Sequence, residues 1–165
     1  MTILGFVGLG SMGGPMCRRL AQAGYRVRAF DLDPAKLDET VQAGAEAAES
    51  TADAAATSDI FLTSLPRPDH VETVMVQAGA LAALRPGAIW VDLTTNRIEL
   101  VTELAARAAE GVRVVDSPVT GAVDGARTGQ LTLFAGGDAD TVATVTPVLS
   151  HLGEVIACGE LGSGN

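Results

Sequence analysis

Residues 1–14 of the chain read MTILGFVGLGSMGG. The apolar run at residues 3–7 predicts a buried strand, and it leads into the pattern Gly8-x-Gly10-x-x-Gly13. In such a turn the first glycine permits a sharp bend, the second leaves space for a pyrophosphate, and the third lets the next helix pack on the strand. The N–H groups at the start of that helix favour an anion. The stretch therefore indicates a dinucleotide-binding turn, although glycine triplets also occur in ordinary tight turns.

The sequence after this turn supplies the rest of a nucleotide-binding unit. Residues 12–23 carry apolar side chains at helical spacing, Gly24 is placed to end the helix, and residues 26–30 form a second strand. Asp31 closes that strand about twenty residues beyond the glycine turn, where a carboxylate binds the ribose hydroxyls of adenosine and repels a 2′-phosphate. No arginine occupies the next two positions, so NAD is favoured over NADP. The alternative is that Asp31 only begins the turn at residues 31–34.

Strand and helix patterns alternate along the remaining chain. Apolar runs predict strands at residues 45–47, 60–65, 88–93, 112–115, 131–135 and 155–157. Helical spacing predicts helices at residues 35–42, 50–56, 70–76, 78–84, 97–110 and 138–149, with a glycine-rich loop or short helix at 118–129. Asp33, Ser50 and Asp138 are the expected N-caps. This order predicts one α/β domain over residues 1–165, with a Rossmann-type, doubly wound and mostly parallel sheet.

Composition and charge exclude several classes of protein. With 47% hydrophobic and 19% charged residues the chain is globular, and its net charge of −9 argues against nucleic-acid binding. No apolar run approaches the ~18 residues of a membrane span and no signal peptide is visible, so we expect no membrane association and a cytoplasmic protein. The two cysteines are too few for a zinc site and are expected as small core residues. No metal site is predicted.

A longer stretch around the glycine turn points to one family. Residues 5–16, GFVGLGSMGGPM, resemble the signature of the β-hydroxyacid dehydrogenases, which include 3-hydroxyisobutyrate dehydrogenase, tartronate semialdehyde reductase and the larger 6-phosphogluconate dehydrogenase. Leu9, Met12 and Met16 stand where that family has them. The resemblance implies a domain that binds NAD, with the turn around the pyrophosphate formed by Gly8, Leu9, Gly10, Ser11, Met12 and Gly13.

Two later stretches resemble the family's cofactor-binding loops. Leu65 and Pro66 follow a predicted strand, and the resemblance implies that their backbone lines the cofactor. His70 stands where relatives often carry an asparagine that contacts the cofactor, although it could equally be a surface residue at a helix start. Thr95 stands where a family hydroxyl lies near the nicotinamide ribose. The alternative, which is compatible with that role, is that one of residues 94–96 caps the helix at 97–110.

The stretch D-S-P-V-T-G-A at residues 116–122 resembles the family's substrate-binding segment D-A-P-V-S-G-G. There a hydroxyl and backbone N–H groups hold the substrate carboxylate. The resemblance implies a substrate site formed by Ser117, Thr120, Gly121 and Ala122, in which Thr120 keeps the hydroxyl and Ala122 replaces the second glycine. The alternative is a sharp turn that only makes space for packing.

The last four residues, Gly162-Ser163-Gly164-Asn165, resemble the opening of the family motif G-x-G-x-x-x-K. That motif begins a long helix whose lysine is the catalytic acid or base, and the lysine is expected just beyond Asn165. The one lysine of the chain, Lys36, matches no catalytic position. The resemblance therefore implies no catalytic residue within the chain. It also implies a missing all-helical domain, starting near residues 162–165, through which family members commonly form homo-oligomers.

The expected function of the full-length protein is hydride transfer between NAD and a small 3-hydroxy acid or its semialdehyde, so the partner is a small carboxylate substrate. The 165 residues alone are expected to bind cofactor without turnover. Two alternatives remain. One is an imine-reductase-like relative that uses NADPH, against which Asp31 and residues 116–121 argue. The other is a non-catalytic nucleotide-binding module, which a lysine three positions beyond Asn165 would argue against.

Overall fold

The computed structural model describes residues 1–165, in which strands and helices alternate as the sequence pattern predicts. The strands are β1 Ile3–Val7, β2 Arg26–Phe30, β3 Glu46–Ala47, β4 Ile60–Thr63, β5 Ile89–Asp92, β6 Arg113–Asp116, β7 Val119–Thr120, β8 Leu131–Gly136 and β9 Gly153–Gly159. The α-helices are α1 Gly13–Gln22, α2 Pro34–Gln42, α3 Thr51–Ala56, α4 Pro68–Glu72, α5 Ala80–Ala83, α6 Ile98–Arg107, α7 Ala122–Thr128 and α8 Ala139–Leu149. A π-helical turn, Thr73–Gln77, follows α4 directly.

Six strands form a parallel sheet in the order β3-β2-β1-β4-β5-β6. This is the strand order of Rossmann domains, and its direction reverses between β1 and β4. β8 pairs antiparallel with both β6 and β7. Asp116 of β6 is opposite Gly136, and Thr120 of β7 is opposite Thr132. β9 pairs in parallel with β8. The predicted doubly wound, mostly parallel sheet is confirmed.

Helices cover both faces of this sheet. On one face α1, α7 and α8 bury Met16, Leu20 and Val145 in a cluster with Phe6 of β1. On the other face α3, α5, α6 and the π-helical turn pack in a cluster around Trp90 of β5. Because both faces are buried, the central strands are apolar along most of their length, as is usual for parallel sheets.

The buried polar side chains of the central strands lie at their carboxyl ends. Thr63 ends β4, Asp92 ends β5 and Asp116 ends β6, and none of the three has exposed surface. Open α/β sheets bind their ligands outside these ends of the strands. Buried carboxylates are costly unless they accept hydrogen bonds, so these residues mark the region where function is expected.

The three predicted N-caps are confirmed. The side chains of Asp33, Ser50 and Asp138 each accept a backbone N–H from the first turn of α2, α3 and α8. The expected cap of the helix at 97–110 is wrong, because α6 begins at Ile98 with no side-chain cap. The side chains of residues 94 and 96 bond to other groups instead.

Other differences concern segments without a clear local pattern. The two helical pieces expected at 70–76 and 78–84 are α4, the π-helical turn and α5, and residues 118–129 contain both β7 and α7. The last strand is longer than the predicted 155–157, because its backbone pairs along the whole of β8. Cys17 lies in the core, where burial raises the pKa of its thiol, but Cys158 is exposed on β9, so its predicted core position is wrong.

Candidate functional site

A cleft of about 490 Å³ opens where the strand order reverses, between the carboxyl ends of β1 and β4. Its volume is in the range of small-molecule sites. The structure brings most of the predicted cofactor residues together in its lining, namely Gly8, Gly10, Ser11, Met12, Gly13, Asp31, Leu65, Pro66 and His70. These residues come from four separate stretches of the chain, so the cleft is assembled by the fold and not by one motif.

Each glycine of the turn occupies a different steric environment. Gly8 has φ +94°, and a Cβ on it would collide with the carbonyl oxygen of Ser64. A Cβ on Gly13 would collide with the carbonyl oxygen of Gly8, so α1 packs directly on the end of β1. Gly10 has no neighbouring atom within 4 Å of a Cβ position and therefore faces open space. A tight bend, an open backbone and a close helix contact are the three features that a pyrophosphate turn needs.

The backbone of the same turn presents unpaired donors. The N–H groups of residues 10–13 make no hydrogen bond within the chain, whereas that of Gly14 already donates to the carbonyl of Gly10 at 2.9 Å. α1 has ten residues and begins with Met12 as an N-cap that makes no side-chain bond. Unpaired N–H groups at the positive end of a helix dipole are a favourable environment for a phosphate.

Asp31 stands at the end of β2 and lines the cleft beside this turn. Its Oδ2 accepts the backbone N–H of Leu9 at 2.7 Å, and its Oδ1 accepts that of Asp33 at 2.8 Å. The carboxylate therefore both starts the turn at residues 31–34 and braces the glycine turn. Each carboxylate oxygen has capacity for a second hydrogen bond, so these contacts do not prevent ribose binding.

Lys36, from the first turn of α2, also lines the cleft. Its Nζ lies 4.0 Å from Oδ2 of Asp33, and half of its side chain is exposed. In the sequence Lys36 matches no catalytic position, and its place as a cation in the same cleft as Asp31 was not predicted. Its position five residues beyond Asp31, just after the Asp33 cap, was the available signal.

The opposite wall is formed by the loop after β4 and by the helical turns that follow it. Leu65, Pro66 and His70, which the sequence analysis expects to contact the cofactor, line this wall. The π-helical turn adds Thr73 and Val74, which the sequence reasoning missed. Local insertions of this kind are frequent at functional sites, but an apolar pattern does not distinguish them from ordinary helix.

Two predicted cofactor residues do not line the cleft. The side chain of Leu9 lies in the core on the side of α1, and its N–H is taken by Asp31. Thr95 is exposed. Its neighbour Thr94 is buried and accepts the N–H of Leu65 at 3.0 Å, which connects the loop after β5 to the cleft wall.

The predicted substrate residues do not line the cleft: Ser117 lies between β6 and β7, and the other three run from the end of β7 to the start of α7. Thr120, Gly121 and Ala122 are exposed, and Ser117 is buried with no partner for its Oγ. Gly121 has φ +130°. Ala122 has φ +56°, the one non-glycine residue of the chain in the left-handed region. The alanine that replaces a glycine of the family pattern is thus held in a conformation that favours glycine.

The terminal segment, residues 160–165, returns to the carboxyl ends of the strands. Asp116 accepts the N–H of Gly162 at 2.7 Å and both the N–H and the side-chain amide of Asn165 at 2.9 Å. The structure contains no group of three or more histidine, cysteine or acidic side chains that could hold a metal ion. None of its helices has the length and hydrophobicity to span a bilayer.

Comparison with known proteins agrees with this geometry. Residues 3–159 match the family model of the NAD binding domain of 6-phosphogluconate dehydrogenase. A 3-hydroxyisobutyrate dehydrogenase from Pseudomonas aeruginosa is 37% identical over 99% of this chain and 56% of its own length. A 2-(hydroxymethyl)glutarate dehydrogenase from Eubacterium barkeri is 40% identical over 98% of this chain and 55% of its own length. The chain thus spans just over half the length of these curated relatives.

Solved structures give the same result. The Mycobacterium tuberculosis 3-hydroxyisobutyrate dehydrogenase with L-serine has a TM-score of 0.93 and 35% identity, covering 99% of this chain and 56% of that one. An imine reductase from Myxococcus stipitatus in complex with NADP⁺ has a TM-score of 0.87 and 25% identity, covering 98% of this chain and 57% of that one. The chain belongs to the family of the NAD-binding domain of 6-phosphogluconate dehydrogenase and is a relative of the 3-hydroxyisobutyrate dehydrogenases.

Proposed function

We propose that this chain is the cofactor-binding domain of an NAD-dependent β-hydroxyacid dehydrogenase. The observation that carries the proposal is the turn at residues 8–13, where unpaired N–H groups and the open space at Gly10 face a cleft lined also by Asp31. The pyrophosphate lies against residues 10–13, and Asp31 accepts hydrogen bonds from the adenosine ribose. When bound, the nicotinamide supplies the hydride acceptor or donor, and the chain positions it.

The cofactor preference follows from the charges at one end of the cleft. Asp31 repels a 2′-phosphate and binds a free ribose, which favours NAD. Lys36 opposes this preference, because an ammonium group in the same cleft attracts a phosphate. Asp31 is held by two hydrogen bonds, whereas the Lys36 side chain is half exposed and its Nζ lies 4.0 Å from Asp33. We infer that the carboxylate dominates and that NADP binds more weakly than NAD.

The substrate is a small carboxylate held by the turn at residues 120–122, with the hydroxyl of Thr120 and the N–H of Gly121 as donors. In this proposal the full-length protein has a helical domain after Asn165. A lysine three positions beyond Asn165, in the first helix of that domain, transfers the proton. Relatives of similar identity are named for 3-hydroxyisobutyrate and for 2-(hydroxymethyl)glutarate, so the class of substrate is a hydroxy acid with no one member preferred.

Turnover measurements test this proposal. We expect the 165-residue chain to bind NADH without oxidising 3-hydroxyisobutyrate, and the full-length protein to oxidise it or a similar hydroxy acid with NAD. Turnover by the 165 residues alone at an enzyme-like rate would contradict the assignment of the proton-transfer group beyond Asn165. Absence of a lysine from that position in the full-length protein would favour a non-catalytic module.

A second candidate is an NADPH-dependent imine reductase. The observation in its favour is Lys36 in the cleft, together with the similarity to the imine reductase that binds NADP⁺. Asp31 and the intact Thr120–Gly121 pair argue against it. Reduction of a cyclic imine with NADPH by the full-length protein, without hydroxy-acid oxidation, would favour this candidate over the first.

A further inference from the structure

Asp92 and Asp116 form a buried carboxylate pair for which the proposed function gives no role. They are opposite each other in the parallel pairing of β5 and β6, so their side chains lie on the same face of the sheet. Neither has exposed surface, and burial raises the pKa of the Asp92 carboxyl. No arginine or lysine forms an ion pair with either one. Each carboxyl group therefore depends on the hydrogen bonds that it accepts from neutral groups.

The hydrogen bonds of Asp92 reach the cofactor cleft. Its Oδ1 accepts the hydroxyl of Thr63 at 2.9 Å and the N–H of Thr94 at 3.1 Å. The hydroxyl oxygen of Thr94 in turn accepts the N–H of Leu65, which lines the cleft. Asp92 therefore fixes the threonine that holds the cleft wall after β4.

The hydrogen bonds of Asp116 hold the terminal segment. Both of its oxygens accept N–H groups from residues 162 and 165. Glycines at the contact let the backbone approach closely, since a Cβ on Gly136 or on Gly164 would collide with Asp116 or with a neighbouring backbone oxygen. The segment is thus docked on this carboxylate.

One more pair of contacts joins the two carboxylates. The side-chain amide of Asn96 donates to Oδ2 of Asp92 at 2.7 Å, and its backbone N–H donates to Oδ1 of Asn165 at 2.7 Å. A continuous hydrogen-bond path therefore runs from Leu65 through Thr94, Asp92, Asn96 and Asn165 to Asp116. Asp92, Thr94 and Asp116 are buried, so leaving one of their polar groups unpaired is costly, whereas the link through Asn96 and Asn165 lies at the surface.

We propose that Asp92 and Asp116 are positioning residues that couple the cofactor cleft to the terminal segment. Asp116 sets the position of residues 160–165. Through Thr94 and Asp92, cofactor binding at Leu65 stabilises that position. The inference rests on the proposed function, because it requires NADH to bind against Leu65. In the full-length protein this coupling would make the position of the chain after Asn165 depend on whether the cofactor is bound.

Amide hydrogen exchange of the 165-residue chain tests the coupling. We expect saturating NADH to slow exchange at Gly162 and Asn165 by about threefold or more. The substitution Thr94→Val removes the hydroxyl at nearly constant shape, and we expect it to abolish this slowing while NADH still binds. Thr102→Val is the matched control, because the Thr102 hydroxyl is exposed and bonds only within α6. A response in Thr94→Val equal to that of the wild type, or no response in the wild type at saturation, would overturn the coupling.

A second measurement tests the contact between Asp116 and residues 162–165 in the absence of cofactor. Without NADH, we expect Asp116→Asn to speed exchange at Gly162 and Asn165 by about tenfold, with circular dichroism unchanged, because its amide cannot accept all three hydrogen bonds. Unchanged exchange at both residues would refute the docking role. If the wild type does not bind NADH, the proposed function fails, and this measurement still decides whether Asp116 docks the segment.

Discussion

The carboxylate of Asp31 accepts the backbone N–H of Leu9 across a separation of 22 residues, at 2.7 Å. The residue expected to contact the ribose is therefore also part of the glycine turn that holds the pyrophosphate. One side chain thus links the end of β2 to the turn after β1. Cofactor affinity and local stability are consequently coupled at this position.

Replacing Asp31 with alanine is expected to destabilise the fold. The N–H groups of Leu9 and Asp33 lose their acceptor, and we expect a loss of about 1–2 kcal/mol in the free energy of unfolding, measured with urea. Asp38→Ala is the control, because Asp38 is exposed on α2 with no hydrogen bond or ion pair, and it should stay within about 0.5 kcal/mol of wild type. Equal stability of the two variants would show that the Asp31–Leu9 bond contributes nothing.

Ala122→Gly is expected to stabilise the chain. The alanine is held at φ +56°, where a Cβ costs about 1 kcal/mol, and glycine removes that cost. Part of this gain is offset by the entropy of the more flexible unfolded chain, so we expect about 0.5 kcal/mol. Ala143→Gly, at an exposed helical position in α8, should destabilise by about 1 kcal/mol. Destabilisation by both substitutions would contradict the strain at Ala122.

Acid stability depends on Asp53, whose pKa is held below its ordinary value of 3.8 by the N–H of Glu49 and by Arg28. A lowered pKa in the folded state means that the charged carboxylate contributes stability above the unfolded value. That contribution is lost as the pH falls through 3.8 and then through the folded pKa. The stability difference between wild type and Asp53→Asn should therefore shrink between about pH 6 and pH 3. Urea titrations across this range measure it, and a constant difference would refute the assignment.

The sequence predicted the features of the fold that local patterns specify. The caps at Asp33, Ser50 and Asp138, the alternation of strands and helices and the bend at Gly8 all depend on neighbouring residues. The antiparallel pairing of β8 depends on which strands meet, and no local pattern contains that information.

The same limit applied to the candidate site. Most of the cleft lining was predictable, because the glycine turn and the residue after β2 have fixed places in a Rossmann unit. The bond between Thr94 and Leu65 joins residues 29 apart, and the local interpretation of Thr94 as a helix cap was the simpler one. The π-helical turn at Thr73–Gln77 has the same apolar spacing as an α-helix and gave no signal.

Calorimetric titration of the chain with NADH and NADPH tests the central claim most directly. Wild type should bind NADH more tightly than NADPH, and Asp31→Asn should reduce that preference about tenfold, equivalent to ~1.4 kcal/mol, because the repulsion of the 2′-phosphate is removed. Asp38→Asn removes the same charge away from the cleft and should leave the preference unchanged. Tighter binding of NADPH by the wild type, or binding of neither nucleotide, would contradict the account.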